Sequence, residues 1–319
     1  MFVLFYKFLA VAFLGISHPD ETLLDHVEQL TFPEMGFEKA GEAYFSPDSK
    51  MISFQAVPKG ETGYQIYTMD LKTRVVKQIS QNAQNCTCSY FSPQGDKIIF
   101  AASPYKIAED EGGKYKWDFT PYMNIYEANV DGSDAVALTN GSAYHAECAY
   151  SPDGSKIVYA PNESGSMNIY VMDRDGRNAY QVTHTDYCYN GGPFFSPDGT
   201  KIIFRADREV PDYLQIYMID IDGSNLVQLT HNEAINWAPF WHPSQNYVAY
   251  TTSIHGHRNY EIYLLSLLTG VHTRVTHHPA FDGLSTFNAD GTKMLWTSKR
   301  GLDKTSQIFI ADFKLPGIL

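Results

Sequence analysis

Apolar residues in this chain come in short runs broken by Pro, Asp, Gly and Asn, and no long stretch places them at the i, i+3, i+4, i+7 spacing. That pattern predicts strands and tight turns rather than helices. The aromatic share of 14%, with 22 Tyr and 19 Phe, points the same way, because flat side chains fit a pleated surface.

The runs repeat. One phrase occurs six times: YFSPDSKMISF from Tyr44, YFSPQGDKIIF from Tyr90, AYSPDGSKIVY from Ala149, FFSPDGTKIIF from Phe194, FWHPSQNYVAY from Phe240 and TFNADGTKMLW from Thr286. Their starts are 46, 59, 45, 46 and 46 residues apart. Each copy reads as strand, turn, strand: Pro presets φ, Asp caps its own backbone and Gly takes the positive φ. A second phrase follows each copy, as in QIYTMD at Gln65 or QIFIAD at Gln307, and supplies a third strand. A fourth strand ends in QIS, ALT, QVT, QLT or RVT.

Four short strands per period of this length make a propeller blade. The sixth copy runs out after its third strand at Asp312, while a lone HVEQLT, His26 to Thr31, stands near the amino terminus. Pairing that strand into the last blade closes the ring and removes an open sheet edge. The expected fold is therefore all-β: one six-bladed β-propeller over residues 26–312, with four-stranded antiparallel blades and a short tail at 313–319.

These units resemble the TolB-like propeller repeat over nearly the whole of that span. The segments GEAYFSPD, TCSYFSP, YHAECAYSPDG, NGGPFFSPDG, APFWHP and FDGLSTF are similar to those of secreted or periplasmic propellers of that type. The resemblance implies the fold and leaves the function open, since propellers host scaffolds, receptors and enzymes alike. TolB itself carries an α/β domain before its propeller. About 30 residues precede the blades here, so Tol-system partners are not implied.

In such a blade the one–two and three–four turns share one face, and the two–three loops and blade connections share the other. The turns here are short and repetitive, which suits plain structure. The loops are long and individual, and long loops on rigid scaffolds carry function. The longest, Ser103 to Met123, holds Trp117 and is expected to be a rim or lid. Blade four adds RADREVPDY from Arg205.

Aligning the copies on their turns puts Glu42, Cys88, Glu147, Gly192, Ala238 and Leu284 at one level. Ala40, Cys86, His145, Asn190, Asn236 and Asp282 lie two residues earlier. A buried carboxylate must be paired or bonded. Glu42, Cys88, His145, Glu147, Asn190, Asn236 and Asp282, with Trp117 and Arg205 from the loops, are thus candidates to ring a polar channel mouth. The plain alternative is that each Glu accepts amides of adjacent innermost strands. A divalent metal held by carboxylate and imidazole is the third reading; no other cofactor is expected.

Chain-wide features narrow the class. The formal charge of −12 and the absence of a Lys/Arg run exclude a phosphate-neutralising face, so nucleic acid is not expected as a partner. The opening MFVLFYKFLAVAFLGIS, residues 1–17, reads as a secretory signal, with an uncleaved anchor or a packed tail as alternatives. A periplasmic or secreted monomer is expected, touching membrane only through that segment if it stays. Cys86, Cys88, Cys148 and Cys188 are too few for a disulfide framework, though export would permit Cys148 to join Cys86 or Cys188.

No Gly-x-Ser-x-Gly, His-Glu-x-x-His or phosphate-loop pattern occurs. Prolyl-oligopeptidase relatives add a hydrolase domain, and none is expected in the seven residues after Asp312. The first expectation is a non-catalytic binding propeller of the cell envelope with a protein, peptide or glycan ligand. The alternative is a glycan lyase or hydrolase using Glu42, Glu147 and His145, which needs the right separation of acid and base.

Overall fold

The computed structural model describes residues 17–81, 83–106, 119–163 and 165–317. Trp117 and nearly all of the amino-terminal apolar segment lie outside these residues. The described chain forms a ring of six antiparallel sheets. Blade one comprises Phe37–Phe45, Met51–Pro58, Gln65–Asp70 and Val76–Gln78, in that order from the axis outward. Blades two to five repeat the order, their first strands being Asn85–Phe91, Tyr144–Tyr150, Asn190–Phe195 and Asn236–Trp241. Blade three adds a short strand, Ser166–Met167, against its second strand.

Blade six is made from both ends of the chain. Asp282–Phe287, Lys293–Ser298 and Gln307–Phe313 are its first three strands, and Leu24–Gln29 pairs antiparallel with the third. The closing strand therefore starts two residues earlier than the HVEQLT phrase predicts, and Leu30 continues the ladder by donating to Ile308 O at 2.7 Å.

The endings of the fourth strands have a physical reason. In each blade a Ser or Thr hydroxyl accepts the backbone amide of an Ile near the start of strand three. The pairs are Ile66 to Ser80 at 3.0 Å, and Ile125, Ile169, Ile216 and Ile262 to Thr139, Thr183, Thr230 and Thr276 at 2.9 Å. Ile308 uses Thr31 of the amino-terminal strand, also at 2.9 Å.

The aromatic richness is equally periodic. Cross-strand ring pairs join strands two and three in every blade: Phe54–Tyr67, Phe100–Tyr126, Tyr159–Tyr170, Phe204–Tyr217, Tyr250–Tyr263 and Trp296–Phe309. Their centroids lie 5.6–6.1 Å apart, in the range where such pairs add to burial. The turns follow the predicted chemistry: Ser46, Ser151 and Ser196 donate to Asp48, Asp153 and Asp198 at 2.6–2.7 Å.

Candidate functional site

Each innermost strand carries a register shift at the same place, for example between Gly41 and Tyr44 or between Ala146 and Ala149. These are β-bulges, and an extra residue leaves its amide outside the ladder. In every blade the first bulged residue is left-handed: Glu42, Cys88, Glu147, Gly192, Ala238 and Leu284 have φ between +49° and +57°. They are the six residues that the turn alignment puts at one level. For a non-glycine residue this conformation costs roughly 1–3 kcal/mol.

Four of the six stranded amides find side-chain partners on the preceding blade. Glu42 N donates to Thr297 Oγ1 at 3.0 Å, Cys88 N to Gln55 Oε1 at 3.3 Å and Leu284 N to Thr251 Oγ1 at 3.1 Å. These acceptors occupy one register position, opposite Gly283, Gly41 and Trp237 on second strands. In blade three that position is Ala160, which has no acceptor. There Glu147 takes over and receives the Gly192 amide on Oε2.

In blade four the same position is Arg205, opposite Gly191. Its guanidinium donates from Nη2 to Glu147 Oε1 at 2.7 Å and to the Tyr189 hydroxyl. Tyr189 in turn donates to Glu147 Oε1 at 2.9 Å. Arg205 and Glu147 are both buried. Burial opposes the guanidinium charge, but Glu147 and Tyr189 outweigh it and the Arg205 pKa is raised. Two glycines make room: a Cβ on Gly191 would strike Glu147 and Tyr189, and one on Gly192 would strike Arg205.

Glu42 lies on the same axis, and among the described residues no cation pairs with it directly. Its pKa is raised to about 7, first by burial and then by Glu147, against the opposing pull of Arg205, Cys88 and Tyr44. Tyr44 donates to Glu42 Oε1 at 3.2 Å. Burial, then the Glu42 and Glu147 charges, push the Cys88 thiol well above its ordinary range. Cys88 is therefore a thiol at neutral pH and a poor nucleophile.

Below this polar layer, rings from different blades meet across the axis. Tyr44 lies 5.2 Å from Tyr90, 5.8 Å from Phe194 and 6.1 Å from Phe240, and the last two are 5.0 Å apart. This aromatic plug lies between the polar layer and the turn face.

Not all predicted mouth residues share the layer. The level two residues earlier is a seam between blades. Ala40, Cys86, His145, Asn236 and Asp282 donate their backbone amides to Ser306, Tyr64, Met123, Leu214 and Tyr260 of the preceding blade at 2.8–2.9 Å. Asn190 makes the equivalent stitch with its side chain, Nδ2 to Met167 O at 2.9 Å. Asn190, Asn236 and Asp282 are fully buried there. The bulge explains the difference: it flips strand alternation, so residues on either side of it face opposite ways. His145 packs against Tyr159, with Nε2 3.6 Å from Glu163, and does not join the Glu147 cluster.

Asp282 belongs to a second buried cluster that sequence reasoning missed. Arg300 donates to both Asp282 oxygens at 2.8 and 3.2 Å, and to both Glu21 oxygens at 2.8 and 3.0 Å. No repeat position or motif signals Glu21. The cysteines are all unbonded, which corrects the permitted disulfide; Cys86 Sγ faces Gln65 and Cys148 Sγ faces the Cys88 carbonyl. Among the described residues no group of three or more His, Cys, Asp or Glu is arranged to hold a metal ion.

Comparison with known proteins agrees with this architecture. Residues 143–259 match the family described as the dipeptidyl peptidase IV (DPP IV) N-terminal region. A TolB homologue from Chlorobium chlorochromatii is 32% identical over 147 residues, 46% of this chain and 32% of that protein. Dipeptidyl-peptidase 5 from Porphyromonas endodontalis is 26% identical over 121 residues, 38% of this chain and 16% of that protein. The matches thus span a third or less of those relatives. Among solved structures, TolB from Acinetobacter baumannii superposes with a TM-score of 0.58 at 18% identity, covering 87% of this chain and 64% of that one. An oligogalacturonate lyase in complex with manganese gives 0.60 at 14% identity, covering 90% and 93%. At these identities the structures speak for the fold alone.

Proposed function

We propose, from the premise that the chain is a TolB-like six-bladed propeller, that it is a non-catalytic binding scaffold of the cell envelope. Its loop-rich face and channel mouth present themselves to a protein, peptide or glycan. One observation carries the reading. Large apolar side chains stand exposed on loops of that face in blades two to six: Tyr105, Tyr187, Val210, Tyr213, Ile254 and Leu302. Tyr187 is 91% exposed and Leu302 89%. Val75, Val136, Leu268 and Val271 stand exposed on the turns and fourth strands as well, but the loops of this face carry the exposed rings of Tyr105, Tyr122, Tyr187 and Tyr213, and such rings are favoured at interfaces. The envelope location rests on the secretory reading of the first residues; no helix among the described residues is long and apolar enough to cross a membrane.

The lyase or hydrolase reading needs Glu42, Glu147 and His145 to act together. Both oxygens of Glu147 are engaged by Arg205, Tyr189 and the Gly192 amide, and His145 is held in the blade seam. That geometry supports binding over acid–base chemistry.

A photo-crosslinking side chain placed at Tyr187 or Leu302 in producing cells tests the proposal. A discrete adduct at those positions, absent when the probe sits at exposed Ser155 on the turn face, is expected. Identical adducts from both faces, or none from the loop face, would overturn it.

A further inference from the structure

The turn face, for which the repeats predict plain structure, holds a cavity of about 300 Å³ on the ring axis. Its wall is built from equivalent residues of all six blades: Phe45, Phe91, Tyr150, Phe195, Trp241 and Phe287. Its floor is the turn-side surface of the aromatic plug, Tyr90, Phe194 and Phe240. Its rim is the turn proline of blades one to five, with Ala289 in the sixth. The volume lies at the lower end of small-ligand sites.

Charge decides what such a cavity can take. No Lys, Arg or His side chain is among its lining residues; Arg174, which lies 5.5 Å over the Tyr150 ring and reaches Gln94 beside the blade-two rim, is paired with Glu127 at 2.9 Å. Asp48, Asp153, Asp198 and Asp290 directly follow the rim residue in four blades. Each carboxylate accepts from its own turn, and these bonds hold its pKa below the ordinary value, that of Asp153 at about 2. Lys50 pairs with Asp48 at 3.2 Å, which offsets one of the four. Lys156, Lys201 and Lys293 are instead tied to Asp173, Asp220 and Asp312 on third strands. A ring of aromatic side chains under a rim with more carboxylates than cations favours cations over anions.

We infer that the turn-face funnel is a binding site for a small organic cation with an apolar body, of the quaternary ammonium class. This site is separate from the loop face. The aromatic walls supply stacking and cation–π attraction, and Asp153, Asp198 and Asp290 supply the field that draws the cation to the rim. Glu42 is not among the residues that line the funnel, so the two faces are expected to bind independently.

Calorimetric titration with phenyltrimethylammonium, and with tert-butylbenzene as its uncharged isostere, tests this on the intact chain. The cation is expected to bind at least tenfold more tightly than the isostere, and benzenesulfonate not at all. Ala289→Trp fills the mouth from an exposed position and should abolish binding without shifting the melting temperature. Asp153→Asn with Asp198→Asn, which keeps the turn-capping oxygen, should weaken binding severalfold, and Glu42→Gln should leave it unchanged. Equal affinity for cation and isostere, retained affinity in a folded Ala289→Trp variant, or loss of binding in Glu42→Gln would each overturn the assignment. Tight binding of a Lys/Arg-rich peptide where phenyltrimethylammonium does not bind would do so as well.

Discussion

The bulge residues show how one backbone device does different work in different blades. Thr297, Gln55 and Thr251 each cap a left-handed amide from one register position, and where Ala160 offers no acceptor the Glu147 carboxylate does so instead. Glu147 then needs a cation, and Arg205 needs two glycines to reach it. Gly192→Ala should therefore destabilise by about 1–3 kcal/mol in urea unfolding, because Arg205 can make room only by leaving its partner. A loss below a few tenths of a kcal/mol would show that the ion pair is slack. Glu42 makes a pH-dependent contribution. Its folded pKa of about 7 lies above the ordinary 4.5, so the folded state holds its proton more tightly than the unfolded chain. Stability from this group is present below about pH 4.5 and is lost as pH rises to about 7. Glu261 is raised to about 7 as well, chiefly by burial, and titrates in the same window. Comparison of the wild type with Glu42→Gln isolates the first group: the variant should be the more stable at pH 8 and lose its advantage at pH 4.5. A constant difference across that range would contradict the burial of Glu42.

At the scale of the strand, the fourth-strand hydroxyl is the smallest unit that explains the repeat. A buried amide without an acceptor costs about 1–3 kcal/mol. Thr31→Val keeps shape and removes the acceptor for Ile308, as Thr230→Val does for Ile216. The two variants should lose equal stability in denaturant unfolding, since the amino-terminal strand is bonded like one that follows its hairpin directly. A much smaller loss for Thr31→Val would mean that the closing strand is loosely held. This level was legible in the sequence: six Ser or Thr endings needed six strands, and one of them stood at the wrong end of the chain. The layer around the axis was only half legible. Alignment on the turns finds Glu42, Cys88 and Glu147, because their spacing to the turn is constant. It cannot show the bulge, which breaks the two-residue alternation and sends Asn190, Asn236 and Asp282 into the seams.

For the whole molecule the question is where a closed ring opens first. Five blades are continuous in the chain, and the sixth depends on a strand that reaches its sheet neighbour without a direct chain connection, held by hydrogen bonds and by the packing of Leu23, Leu24 and Val27. The repeat explains how that strand pairs but not how the segment before it is fastened, because Glu21 lies outside every repeated phrase. Arg300 fastens it, binding Glu21 of the amino-terminal segment and Asp282 of blade six in one buried cluster. Burial works against Glu21 ionising, yet Arg300 and the backbone amides of His277 and His18 outweigh it and lower its pKa, whereas burial prevails at Asp282 and raises it. Removing the shared cation strands two carboxylates, and breaking a buried pair costs about 3–5 kcal/mol. Arg300→Met should lower stability by that order. It should also accelerate hydrogen exchange in Leu24–Gln29 and Gln307–Phe313 more than in Gln215–Asp220 and Val227–Gln228 of blade four. Protection lost evenly around the ring would mean that the blades open together and that the clasp is no weaker than the covalent connections.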